Sequence, residues 1–176
     1  MRFVDFLRTT VLLSAGAATA LAIVTVLAGA SSSDQTLVLV AAGWWLVASV
    51  IGLRLGRRAA TSPPIARLLA TARTSTSLPE LHPSAILLNR LWPLLVFTLL
   101  AGGLAFLAPQ IPGIAAGFAI IWALAWRRQD AAVAAIEERD GASFYVRRTS
   151  PLTPMSLLRT PGFKSSRVET VNGAVT

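Results

Sequence analysis

GIAAGFAIIWALAWRR, residues 113–128, holds the key to this chain. It is apolar until Arg127 and Arg128, and Trp122 and Trp126 stand just before them. An apolar helix closed by a collar of tryptophan and arginine is the pattern of a span leaving a bilayer, because indole rings and guanidinium groups settle at the headgroup level. A segment carrying Asp130, Glu137, Glu138, Arg139 and Asp140 follows without a break. The helix is therefore expected to run on through Ala131, Ala135 and Ile136 to Arg139 as a rigid stalk, with Asp140-Gly141 as its C-cap.

Working outward, the same apolar character recurs. The 176 residues are 54% hydrophobic and only 14% charged, whereas soluble domains carry about 25% charge. The excess gathers into four runs, at about 11–30, 36–55, 88–108 and 112–128. The links 31–36 and 109–113 are short, so adjacent runs form antiparallel hairpins. The reading is an all-α membrane protein. Its four transmembrane helices, in two hairpins, occupy residues 1–140, with a loop at 56–85, and a proline-rich tail follows at 141–176.

The sixteen Lys and Arg residues set the orientation. All lie in the N-terminal segment, the middle connection, the start of the third span, the stalk and tail, or the adjoining ends of the second and fourth runs (Arg54, Arg127 and Arg128), and neither short turn carries one. By the positive-inside rule both termini and the loop are cytoplasmic. The net charge of +8 then matches anionic lipid headgroups better than nucleic acid. Arginine and alanine dominance points to a bacterial plasma membrane. Ala28-Gly29-Ala30 resembles a signal-peptidase site, but the first run exceeds the roughly 7–15 residues of a signal core, so a retained span is expected.

Several segments carry finer expectations. Met1 to Arg8 is a basic amphipathic start. Ile65, Leu68, Leu69 and Ala72 recur at helical spacing after Ser62-Pro63-Pro64, which predicts a short helix lying in the headgroup region. Ser143 to Arg148 has strand-like composition. Arg57-Arg58 with TSPP and Leu68-Leu69 echoes Arg147-Arg148 with TSPL and Leu157-Leu158, which fits either a duplicated hairpin or a common turn device.

Residues able to carry chemistry are few. No Asp, Glu, His or Lys lies within a run, which disfavours proton-coupled transport. There is no cysteine, so disulfides and thiolate sites are excluded. His82 has only Glu80 near it and reads as a loop histidine. Asp130, Glu137, Glu138 and Asp140 read as a solvated helix face. Ser150, Thr153 and Thr160 precede proline and read as turn punctuation. Trp44-Trp45 reads as helix packing, as do the pairs Gly52/Gly56 and Gly113/Gly117. No phosphate loop, hydrolase elbow or dinucleotide fingerprint is present, so no catalytic, cofactor or metal residue is assigned.

Two surfaces remain. Arg54, Arg57, Arg58, Arg90, Arg127 and Arg128 are assigned to lipid headgroups, with snorkelling as the simplest role for Arg54 and Arg90. Phe144, Tyr145, Arg147, Arg148, Leu157, Leu158 and Phe163 are assigned to a partner, being aromatic, aliphatic and arginine anchors on a proline-stiffened tail. The tail is expected to be ordered, against the middle loop or against a partner. Alternatively, Arg147, Arg148, Arg159 and Lys164 hold it on lipid. The expected function is a non-catalytic accessory or assembly subunit of a larger membrane complex. Competing readings are a small oligomeric transporter or channel, and a lipid-handling protein using Arg90.

Overall fold

The computed structural model describes residues 1–31, 35–57, 61–74, 83–147 and 155–161. Of these, 79% are helical. In order come α1 (Phe3–Ser31), α2 (Gln35–Leu55), α3 (Pro63–Ala70), β1 (Arg73–Thr74) and α4 (Pro83–Gly103) with a 3-10 turn at Leu104–Phe106. They are followed by α5 (Gln110–Trp126), α6 (Gln129–Asp140), β2 (Ala142–Val146) and β3 (Leu157–Pro161). Among the described residues three helical segments are long and apolar enough to cross a membrane: Phe3–Ser31, Gln35–Leu55 and Ser84–Phe106. Helix α5, with 17 residues, is shorter than these. The chain is thus a mostly helical protein with the character of a membrane protein.

Helix α5 is the central element. It packs extensively on α1 and on α2, which touch each other far less. The expected first hairpin is therefore splayed, and α5 fills the gap. Small residues permit this. A Cβ on Gly113 would stand 3.2 Å from Thr25 Cγ2 and 3.3 Å from Ala41 Cβ, and one on Gly52 would stand 2.8 Å from Leu124 Cβ. Gly117 and Gly56 leave no room at all, facing the Trp44 ring and the Leu124 carbonyl. Without a hydrophobic drive between helices in lipid, such close backbone approach supplies the packing energy. Trp44 and Trp45 complete the seam: their indole N–H groups donate to the Ile114 carbonyl (3.2 Å) and the Gly113 carbonyl (2.9 Å). On α1 the matching buried stripe is Ser14, Ala18, Leu21, Thr25 and Gly29.

Helix α4 is different. Leu88, Leu95, Phe97, Leu99 and Leu100 are exposed, and among its described side chains Ile86 is buried in the core, with Leu87 and Leu91 packed against it. Pro93 inside it removes one rung of the hydrogen-bond ladder.

Below the bundle lies a small cap built from separated pieces of chain. Its core is Phe3, Phe6, Leu7, Ile65, Ile86, Val133, Phe144, Val146 and Leu157. The sheet order is β1-β3-β2, with β3 parallel to β1 and antiparallel to β2. Val146 pairs with Leu157 and Tyr145 with Leu158, so alternate residues face the core. The helix at α3 exists as expected, but its apolar face is against protein: Ile65 is buried and Leu68, Leu69 and Ala72 pack on the core. The two echoing segments differ in form, since Leu68-Leu69 is helical and Leu157-Leu158 is a strand.

Two further expectations change. The start of the chain is the first two turns of α1 itself. Over 29 residues α1 spans about 43 Å, more than the ~30 Å of a bilayer core, and the excess belongs to the cap. The stalk is not continuous either. The helix breaks at Arg127–Arg128, where Arg128 has φ −111° and ψ 0°. No Pro or Gly lies there; just past the break, the Gln129 side-chain oxygen accepts from the Ser62 N–H at 2.9 Å. Gly141 does close α6 in the left-handed region at φ 59°, donating to the Glu137 carbonyl.

Candidate functional site: the cap and its arginine belt

Strands β2 and β3 come from the tail and β1 from the middle connection, so the two segments singled out in the sequence meet in one sheet. The chain start joins them. Arg2 bridges to Tyr145, and the Val146 N–H donates to the Met1 carbonyl at 3.1 Å.

Glu137 closes this edge. Its Oε1 accepts from the Phe144 N–H at 2.7 Å and its Oε2 from Arg2 Nη2 at 2.6 Å. Its side chain is 5% exposed, against 51% for Arg2. The solvated acidic face expected on α6 is therefore corrected at this residue. Glu137 is a buried clasp between Arg2, 135 residues before it, and strand β2. The hydrogen bond to Glu137 raises the Arg2 guanidinium above its ordinary value, so the arginine stays charged over the accessible pH range. Glu137 lies one turn from Val133, which is fully buried, so both face the cap.

Phe144 and Leu157 are each 2% exposed within the chain's own core. Burial takes them out of any surface a partner could touch, because burying apolar side chains is what holds the cap together. Tyr145 and Leu158 stand on the opposite face, half-buried, and Arg147 is exposed. In register Arg73, Leu158 and Tyr145 form one row across all three strands, with Arg2 beyond Tyr145. Arg148 and Phe163 lie outside the described residues, as do Arg58, Glu80, His82, Ser150, Thr153 and Lys164. Thr160 sits in β3 rather than in a turn, with its hydroxyl oxygen buried.

A cleft of 330 Å³ opens between α3, α6 and the sheet, lined by Thr61, Thr74, Ile136, Arg139, Asp140 and Arg159 among others. Arg139 Nε donates to Asp140 Oδ1 at 2.9 Å and holds that carboxyl below the usual carboxylate range. The ion pair is thus intact at neutral pH; any stability it contributes is present above the ordinary carboxylate value and lost as pH falls through the depressed one. The pair is exposed, so this contribution is small. Among the described residues no group of three or more His, Cys, Asp or Glu could hold a metal ion.

The arginine belt lies where the bundle meets the cap. Arg54 ends α2, and Arg57 follows it. Arg128 Nη1 donates to the Arg57 carbonyl at 3.3 Å, which puts the ends of α2 and α5 at one level. Trp122 and Trp126 stack there at 5.2 Å. Trp126 and Leu91 both pack against the cap core, which brings Arg90 to the same level. Five of the six arginines assigned to headgroups are described, and they share one end of the molecule.

Compared with known proteins, this chain matches no family model, no curated protein and no solved structure.

Proposed function

We propose that this chain is a non-catalytic multi-pass membrane protein, an accessory or assembly subunit that engages a larger membrane complex through its cap. In this reading α5 crosses as a fourth span, both termini and the cap are cytoplasmic, and the membrane is a bacterial plasma membrane. The short α5 suffices because its 17 residues reach about 25 Å and the tryptophan and arginine collar begins immediately at its end. The belt then meets anionic headgroups.

One observation carries the partner role: the middle connection and the tail converge in one sheet whose outer row is Arg73, Leu158 and Tyr145. Tyrosine and arginine are among the side chains enriched at protein interfaces, and Leu158 stands between them. The anchors Phe144 and Leu157 act from beneath, by holding this face in shape. The test is co-purification from native membranes after mild solubilisation. L158E and Y145A are expected to lose the larger partner while keeping wild-type expression and unfolding temperature. Retention of a partner by both variants, or migration of the wild-type chain alone, would overturn the reading. A deletion of the tail is a poorer test, since it removes the cap core along with the surface.

A further inference from the structure

We infer that the cleft between α3, α6 and the sheet binds a small carboxylic acid with an apolar body, held as its anion by Arg159. Neither the membrane topology nor the partner proposed above is needed for this, because the face of the sheet involved is the one opposite Tyr145 and Leu158.

The strand register makes Arg159 unusual. Val146 pairs with Leu157, and Phe144 pairs with Arg159. Paired residues share a face of the sheet, and the other three are buried in the cap core. Arg159 therefore stands at an inward position. It is also on the middle strand of the three, so it is not one of the charges that guard an exposed sheet edge. A charge where alternation calls for an apolar residue breaks a local rule, and such breaks gather at functional sites. Thr74 on β1 continues the same row. At this row α3 and α6 do not close on the sheet, and the cleft of 330 Å³ is what remains. That volume falls in the range of small-molecule sites, about 300–1,000 Å³. A second recess of 270 Å³ shares Thr74, Asp140 and Arg159 with it.

The lining selects the ligand. Leu69, Ile136 and Phe144 form an apolar wall continuous with the cap core. Opposite them stand polar groups that the cleft brings together: the Thr61 and Thr74 hydroxyls, Arg139, Asp140 and Arg159. Arg139 and Asp140 neutralise each other at 2.9 Å. Arg159 makes no ion pair or hydrogen bond among the described residues. It is close enough to act on Asp140, whose carboxyl is held down first by the hydrogen bond from Arg139 and least by Arg159. One positive charge is thus left over at the wall of the cleft. A monoanion balances it, whereas a phosphate dianion would press a surplus charge against Asp140. A carboxylate also fits the guanidinium fork in a bidentate way, and threonine hydroxyls can donate to it. The apolar wall then takes the body of the acid, which an inorganic anion would leave unused.

The experiment titrates the purified full chain in neutral detergent, with empty micelles as the blank. Saturation-transfer NMR and thermal unfolding are the readouts. Benzoate, benzamide, acetate and inorganic phosphate are the probes. Benzoate is expected to bind more tightly than acetate, which lacks the apolar body, and than benzamide, which lacks the charge. R159Q is expected to weaken benzoate binding about tenfold, the loss of one charge-assisted contact. R54Q, at the end of α2 and outside the cleft, leaves it unchanged. R159L adds a readout that needs no ligand. An inward leucine is expected to keep or raise the unfolding temperature while abolishing benzoate binding, because a residue held for binding is rarely the best one for stability. A lower unfolding temperature for R159L would make Arg159 a structural residue and overturn the proposal. So would the absence of benzoate binding, equal binding of benzamide or phosphate, or equal effects of R54Q and R159Q.

Discussion

Glu137 is where the cap closes, and it makes a sharp prediction. E137A leaves the Phe144 N–H buried without an acceptor, a loss of about 1–3 kcal/mol. E137Q keeps an acceptor oxygen for that N–H and loses only the charge opposite the half-exposed Arg2, a loss of about 0–1 kcal/mol. Hydrogen exchange at the Phe144 amide and thermal unfolding in detergent would both read the difference. Equal effects from the two substitutions would show that the backbone contact does not matter. This residue also marks a limit of legibility. In EERD each acid looks alike, and periodicity alone places them on a helix end. Only the partner strand, which is distant in sequence, distinguishes Glu137 from its exposed neighbour Glu138. Trp44 and Trp45 were easier: mid-run indoles cannot serve as interfacial anchors, so a packing role follows before any partner is known.

At the scale of elements, α5 is the hub because its face is nearly without side chains. G117A is expected to cost about 1–3 kcal/mol by overpacking, since the Trp44 ring occupies the space a methyl group would need. G43A is the matched control. Nothing lies within 4 Å of a Cβ there, and replacing a mid-helix glycine by alanine gains up to about 1 kcal/mol. A chain in which both substitutions were neutral would have a looser seam than described. The helices themselves were legible from hydrophobic runs and their basic ends, and Gly141 from its place after Asp140. The cap was legible only in parts. Its short strands have the composition but not the length that periodicity needs, and its pairing joins residues near 73, 144 and 158. The break at Arg127–Arg128 left no trace in local propensity, since no Pro or Gly marks it. An unbroken stalk was the reasonable expectation from sequence and is not what forms.

At the scale of the whole molecule, the absence of native cysteine makes the proposed topology directly testable. A single cysteine at T36C, at the far end of the bundle, is expected to react with an impermeant maleimide in intact cells. One at R147C in the cap is expected to react only after permeabilisation. The opposite pattern would invert the orientation and move the cap outside. The cap's composition from both chain ends has a consequence for synthesis. Phe3, Phe6 and Leu7 are made long before the surfaces that cover them, Val133, Phe144 and Leu157. Until then a sticky apolar patch stays uncovered beside the membrane, the state in which nascent chains are most prone to misassociate. The clasp between Arg2 and Glu137 can form only once α6 has been made, so a chain truncated before α6 leaves Phe3, Phe6 and Leu7 without the surfaces that bury them.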